Sequence, residues 1–220
     1  SIKQAGAPLG GVLAGLVMPV AASTFGIWGA VAACLVIGVL VIGAVEPLRA
    51  EVDADRKSAT AIGPGALFAR HNIAEPFLAV TRTPALIRLA LAGMCFSVCQ
   101  GVWFAFLVTF LVVRLGYSLE LAGIIFAITQ VTGVFGRVVL GWASDRLGSG
   151  QPVQCAAGIA SCACSLVLAF ATASWPVWSL CLLAAFAGVA VSSWNGVQMA
   201  EMVRIAPGEI HTTVAGGTAV

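Results

Sequence analysis

The stretch CLVIGVLVIGAV, from Cys34 to Val45, is apolar at every position. A strand of a membrane barrel would instead alternate apolar and polar residues. The run from Val12 to Val20 has the same unbroken apolar character. In lipid every backbone N–H and C=O must be satisfied within the structure, so such runs predict transmembrane helices.

The rest of the chain agrees with a lipid environment. Of its 220 residues, 60% are hydrophobic and only 9% are charged, and the mean hydropathy is +1.03. A bilayer core of roughly 30 Å needs about 20 apolar residues per helix, and several runs of that length are present. We therefore predict an all-α, polytopic transmembrane helical bundle whose first partner is the bilayer itself.

The apolar runs are separated by short polar segments, with one longer interruption. They predict spans at about 7–23, 27–45, 86–113, 119–142, 153–173 and 177–203, with a further span starting near 212. The chain lacks an initial methionine and ends inside that last run, so we interpret it as an incomplete bundle. The predicted organisation is two helices in 1–45, a polar linker in 46–85 and a second helical group in 86–220.

Basic residues orient the predicted bundle, because cytoplasmic loops are enriched in Lys and Arg. Ten of the eleven map to one side, and only Arg114 maps to the other. The linker is therefore predicted to be cytoplasmic. The net charge of +2, spread among loops, does not favour a nucleic-acid partner.

Other features argue against a cofactor or metal. The seven cysteines lie in or beside apolar runs, where a thiol packs as a small hydrophobe, and no histidine completes a metal site near them. The first span has small residues at helix-packing spacings together with a proline that frees a backbone carbonyl: Gly6, Pro8, Gly10, Gly11 and Gly15.

A more specific string, GRVVLGWASDRLG, runs from Gly136 to Gly148 between the fourth and fifth spans. Arg137, Gly141 and Asp145 are spaced four apart on one helical stripe, and Arg146 follows. The glycines permit a tight turn, and Asp145 is suited to face the positive N-terminal end of a neighbouring helix. The alternative is a solvated charged loop, which does not need glycines at these positions.

This string resembles the Gly-rich Asp-Arg signature in the cytoplasmic loops of the major facilitator superfamily. The resemblance implies that the six spans correspond to the fifth through tenth of twelve helices, with the linker joining two six-helix halves. It also implies a multi-pass protein of the bacterial cytoplasmic membrane that moves a small solute by alternating access.

Three shorter strings are similar to those of particular members. GAPLGG, from Gly6 to Gly11, resembles the Gly-Pro motif of proton-linked antiporters, with Ala7 where the usual glycine stands. EPLR resembles the ending of the sixth helix in sugar carriers, which implies a charge pair between Glu46 and Arg49. WNGVQMAEMVRIAP, from Trp194 to Pro207, together with GAPLGG, resembles bacterial permeases of the cyanate-permease type.

These residues suggest a gate and a solute cavity. We expect Asp145 to dock near Ser1 to Gln4, at the start of the first span, with Arg137 and Arg146 bracing it. Glu201 and Arg204 form a further candidate pair at i,i+3 spacing. Polar or aromatic residues near mid-membrane depth are the cavity candidates, and interhelical hydrogen bonding explains them equally well: Gln100, Trp103, Gln130, Trp194, Asn195 and Gln198.

The leading hypothesis is a secondary active transporter of a small solute, with an organic anion as substrate and protons as coupling ion among the candidates. A nontransporting membrane sensor on the same fold is the first alternative. A membrane-embedded enzyme is disfavoured because His71 and His211 fall in loops and no nucleophile and base are suitably spaced. No Gly-rich phosphate loop ending in Gly-Lys-Ser or Gly-Lys-Thr supports an ATP-driven pump.

Overall fold

The computed structural model describes residues 2–48, 78, 81 and 83–205, except the side chains of residues 2–5, 7 and 48. Its helices are α1 (Ile2–Val45), α2 (Pro84–Thr109), α3 (Leu119–Leu147), α4 (Gln151–Ala169), α5 (Val177–Ser192) and α6 (Trp194–Ile205). A 3₁₀ turn, Glu46–Leu48, follows α1. Most of the predicted linker, Arg49, the proposed docking point near Ser1 and the predicted span near 212 lie outside the described residues.

Helix α1 is interrupted at Gly26, where φ is 71° and ψ is −176°. This left-handed φ suits glycine, which has no Cβ to clash. Beyond it the chain turns back, so that the Cys34 thiol lies 3.4 Å from the Met18 sulfur. The 38-residue segment Pro8–Val45 would span about 57 Å as one helix, nearly twice a bilayer core. The two arms of α1 therefore correspond to the first two predicted spans.

Two boundaries differ from the prediction. Helix α3 continues to Leu147 instead of ending near residue 142, because the residues after Trp142 favour the helix until Gly148 caps it with φ 62°. Most of the GRVVLGWASDRLG string is thus helical, and only residues 148–150 form the turn to α4. Helix α2 also ends differently, in a wider π turn at Phe110–Arg114.

The last described span is broken, whereas the sequence predicted a single helix over 177–203. Helix α5 ends at Ser192, Ser193 adopts φ −101° and ψ −5°, and α6 begins at Trp194. The Ser192 hydroxyl donates to the Gly188 carbonyl at 2.8 Å, and the Ser193 hydroxyl donates to the Gly133 carbonyl of α3 at 3.0 Å. Serine hydroxyls that bond to the backbone offer it an alternative to the regular helix.

Helix α3 is the centre of the bundle and packs most extensively against α5 and α1. Its contact with α5 depends on glycine. A methyl group on Gly188 would lie 2.3 Å from the Thr129 carbonyl oxygen, and one on Gly133 would lie 2.1 Å from the Ser192 hydroxyl oxygen. These backbones are therefore closer than helices with larger residues could approach.

The apolar core lies where α3 meets α2, α4 and α5. Leu111, Ile125, Ala187 and Val191 are among its fully buried members. Many large apolar side chains on the outer faces are exposed, as lipid-facing residues are. Five described helical segments are long and apolar enough to cross a membrane, counting α5 and α6 together as one, and the described residues contain no strand. The predicted all-α polytopic bundle is confirmed.

The close contact between α3 and α5 predicts a large effect of a single methyl group. We expect Gly188→Ala to lower the free energy of unfolding by about 1–3 kcal/mol, because the Thr129 carbonyl is backbone and cannot rotate away. Gly101→Ala is the matched control, since no described atom lies within 4 Å of the added methyl group there. Thermal unfolding in detergent measures the stability of both variants. Equal melting temperatures for Gly188→Ala and Gly101→Ala would contradict the close contact between α3 and α5.

Candidate functional site

The contact between α1 and α3 forms a narrow seam. A methyl group on Gly11 would lie 2.7 Å from Gln130 Cδ, and one on Gly15 would lie 2.9 Å from the Gly123 carbonyl oxygen. A methyl group on Gly123 would come within 2.5 Å of Pro19 Cγ. Higher numbers on α1 face lower numbers on α3, so the helices are antiparallel. We call the residues from Gly11 to Pro19 and from Gly123 to Gln130 the seam.

The seam lies toward the end of the bundle where α1 turns at Gly26. Near that turn the Ser23 hydroxyl, which donates to the Val20 carbonyl at 3.1 Å, lies close to the Glu120 carboxylate. Of the five glycines and prolines predicted to pack α1, Gly11 and Gly15 are in the seam and Pro8 is buried. At Gly6 and Gly10 an added methyl group would meet no described atom within 4 Å, so these two glycines take no part in the contact.

Gln130 ends the seam on α3. Its side chain is only 2% exposed, and its Oε1 atom has no hydrogen-bond partner among the described residues. A buried amide oxygen without a donor costs about 1–3 kcal/mol. The seam therefore holds a polar group that its present packing does not satisfy.

Arg137 lies two helical turns beyond Gln130 on the same stripe of α3. Its Nη2 and Nε atoms donate to the Ser192 carbonyl oxygen at 3.2 and 3.4 Å. This carbonyl ends α5, where the break at Ser193 removes the regular helical donor. The guanidinium thus caps the broken span, and it lies about 12 Å along the helix from Asp145, which it was predicted to brace.

The turn after α3 is held by an ion pair on α6. Glu201 is 3% exposed and pairs with Arg204 through two contacts, one of them Nε to Oε2 at 3.1 Å. Glu201 Oε2 also accepts from the Gly150 N–H at 3.2 Å, and Arg204 Nη1 donates to the Gly148 carbonyl at 3.0 Å. The predicted pair therefore ties the turn to α6, which the sequence did not indicate.

The other residues of the motif are at the surface. Asp145 is exposed, and its carboxylate makes no hydrogen bond or ion pair with any described residue. The Arg146 guanidinium lies 5.0 Å from the centre of the Trp142 ring. Such a cation–π contact between exposed residues contributes about 0.5–1 kcal/mol. Glu46 is exposed at the far end of α1, and its predicted partner Arg49 is not described.

The six predicted cavity residues do not converge on one cavity. The Trp194 indole donates to Gln100 Oε1 at 3.0 Å and its ring stacks on Phe96, with centroids 5.4 Å apart. The Trp103 indole donates to Ser165 at 2.9 Å, on the side of α2 that faces α4.

Gln198 is buried against Gly93 and accepts from Gln154 Nε2 at 3.4 Å. Asn195 is half-buried and Gln130 is in the seam. Interhelical hydrogen bonding accounts for Gln100, Trp103, Trp194 and Gln198. Sequence reasoning missed three partners, Phe96, Gln154 and Ser165, because only the folded packing brings their helices together.

A cavity of about 480 Å³ lies between α2 and α4, away from the seam. It is lined by Arg88, Phe96, Gln151 and Gln154 and by four cysteines of these two helices, Cys95, Cys99, Cys155 and Cys162. A second cavity of about 360 Å³ continues it past Cys99 with a mostly apolar lining. Among the described residues, no three His, Cys, Asp or Glu side chains are grouped to hold a metal ion.

The comparisons with known proteins identify the family. The family model described as Major Facilitator Superfamily matches residues 1–219, which is nearly the whole chain. No curated protein and no solved structure matches. Together with the helical membrane bundle, this match shows that the chain belongs to the Major Facilitator Superfamily, a family of membrane transporters.

Proposed function

We propose that this protein is a secondary active carrier that moves a small solute across the bacterial cytoplasmic membrane by alternating access. The observation that carries the proposal is the glycine seam between α1 and α3. Alternating access requires two groups of helices that touch at one side of the membrane and can separate there. A seam of glycine backbones forms a tight contact without long interdigitating side chains that would resist separation.

The orientation follows from the positive charges. Arg146 and Arg204 lie at the Gly148 end of the bundle, whereas Arg114 is the basic residue at the Gly26 end among the described helices. Basic residues favour the cytoplasmic side, so the seam faces outward and the Gly148 turn faces the cytoplasm. The linker in 46–85 is then cytoplasmic and joins residues 1–45 to the helical group in 86–220.

The closed seam corresponds to a conformation with its outer side shut. Opening it separates Gly15 from Gly123 and Gly11 from Gln130, which gives the unsatisfied Gln130 Oε1 access to water or solute. The hydrogen bonds that Gln130 Oε1 gains offset part of the packing energy that is lost when the seam opens. The outer contact is therefore strong enough to form but does not lock the carrier in the closed state.

The cytoplasmic gate is the exposed carboxylate of Asp145. Docking on the N-terminal end of α1 would stabilise a closed cytoplasmic side by about 1–2 kcal/mol, which is roughly a tenfold shift in population. The Gly148 turn is fixed by Glu201 and Arg204, so Asp145 is carried on a firmly held element.

Glu201, the buried carboxylate of the described helices, is also the candidate group for proton coupling.

Solute flux in proteoliposomes tests the carrier function. We expect the complete protein to transport one class among small organic anions, sugars and amphipathic drugs, and an imposed pH gradient to change the rate. Vesicles with heat-unfolded protein are the control for leakage. Absence of flux across the panel, from protein shown to be folded, would favour the nontransporting sensor.

A bulky residue in the seam should hold its outer side open. We expect Gly123→Trp to abolish transport, because the indole occupies the space of Gly15 and Pro19. Spin labels placed at Ser23 and Glu120, with the native cysteines replaced, should lie farther apart in this variant when measured by double electron–electron resonance. Gly38→Trp, on the exposed arm of α1, is the control and should leave the transport rate and the label distance unchanged. An unaltered label distance in Gly123→Trp would remove the seam from the gate.

Removing the charge of the cytoplasmic gate should slow transport without disturbing insertion. We expect Asp145→Asn to reduce uptake about tenfold, because a neutral amide loses the attraction to the helix N-terminus. Glu120→Gln, at the outer end of the same helix, is the matched carboxylate control. Membrane yield and melting temperature should stay at the wild-type values. Undiminished uptake would show that Asp145 does not act in the gate.

A further inference from the structure

The two cavities between α2 and α4 form one long groove on the outer surface of the bundle. The first, of about 480 Å³, is lined by Arg88, Cys95 and Cys155, which are all exposed. The second, of about 360 Å³, shares Cys99 with the first and continues to Phe106, whose side chain is 62% exposed. A groove with so accessible a lining faces the lipid of the bilayer.

The groove is polar at one end and apolar at the other. Arg88 lies in the second turn of α2 and Gln151 is the first residue of α4, so both mark a mouth at the Gly148 end of the bundle. From Arg88 to Cys99 the helix rises about 17 Å, close to half of a 30 Å bilayer core. Beyond Cys99 the lining is mostly apolar. This order of polar and apolar groups matches one leaflet, with the head group at the mouth and the acyl chain toward the middle.

The mouth of the groove is positively charged. Arg88 donates from Nε to the Pro84 carbonyl at 3.4 Å and forms no ion pair with any described residue. The N-terminal end of α4, which carries the positive partial charge of the helix dipole, lies at the same mouth. Glu201, whose carboxylate reaches the Gly150 N–H beside this mouth, is already paired with Arg204. An anionic group would therefore meet positive charge here that no described carboxylate neutralises.

We propose that this groove binds an anionic phospholipid, with the phosphate group at Arg88 and an acyl chain along α2 and α4. The inference goes beyond the proposed carrier function and does not depend on it. A soluble anion would use only the mouth, and an uncharged apolar molecule would use only the deeper part. A basic pocket between transmembrane helices at the membrane surface is typical of a site for an anionic lipid head group.

Lipid binding to the complete protein in detergent micelles tests the charged mouth. The probes are phosphatidylglycerol and phosphatidylcholine with identical acyl chains, and native mass spectrometry measures their affinities during a titration. We expect phosphatidylglycerol to bind more tightly. Arg88→Gln should weaken phosphatidylglycerol about fivefold, as expected for one basic residue at the membrane surface, and leave phosphatidylcholine unchanged. Arg114→Gln removes an exposed charge outside the groove and should leave both affinities unchanged.

Filling the groove tests the part that holds the acyl chain. Ala92 lines the groove, whereas Gly101 on the same helix lines neither cavity and has no described atom within 4 Å of an added methyl group. We expect Ala92→Trp to lower the affinity for phosphatidylglycerol about tenfold and Gly101→Trp to leave it unchanged. Glycerol phosphate has the charge without the acyl chain, so it should not displace the lipid at equal concentration.

The proposal is overturned if phosphatidylglycerol and phosphatidylcholine bind equally, or if Arg88→Gln or Ala92→Trp keeps the wild-type preference. Displacement by glycerol phosphate at equal concentration would also overturn it, because the mouth would then bind anions without the groove. If Ala92→Trp lowers the melting temperature more than Gly101→Trp and lipid binding is unchanged, a helix of the protein fills the groove in place of a lipid. Solute flux is measured separately, so failure of the lipid site and failure of the carrier function remain distinguishable.

Discussion

The close approach of α3 to both of its neighbours is the constraint on which the rest of the structure depends. Inside a bilayer, lipid tails are as apolar as leucine, so helices associate through van der Waals packing and hydrogen bonds instead of the hydrophobic effect. Glycines supply that packing on two faces of α3: Gly133 and Gly136 meet α5, and Gly123 meets α1. One helix thereby joins residues on either side of the predicted linker. Its two glycine faces differ in what surrounds them, since hydrogen-bonded serines reinforce the α5 face and the α1 face contains an unsatisfied amide.

That difference assigns the two faces different roles. The contact with α5 is supported by the Ser193 hydroxyl, which bonds to the Gly133 carbonyl, and by Arg137, which bonds to Ser192. These two hydrogen bonds form only while α3 and α5 stay together, so separating the helices would break both of them. In the proposed carrier, α3 and α5 therefore move as one body, and the large displacement takes place at the α1 face.

Sequence patterns predicted the helices well because an unbroken apolar run is stable in lipid as a transmembrane helix. The GRVVLGWASDRLG string also indicated the family, which the family match confirms. The extension of α3 to Leu147 was missed because charged residues in the last turn of a membrane helix resemble a loop. The break at Ser193 was missed because two serines in an apolar run are compatible with a continuous helix, and only the Gly133 carbonyl and the Arg137 guanidinium select the broken form. Partners such as Gln154 for Gln198 depend on which helices become neighbours.

The seam and the Asp145 end of α3 are connected by a stiff helix, which in the proposed carrier lets one contact exclude the other. From Gln130 to Leu147 the helix extends about 25 Å without a proline. A small rotation about the seam would therefore be amplified at the Gly148 turn, which Glu201 and Arg204 fix to α6. Packed interfaces tend to have discrete arrangements instead of deforming continuously, so in the proposed cycle closing one end would favour opening the other. Because each proposed contact contributes only a few kcal/mol, a bound solute would be enough to change which end is closed.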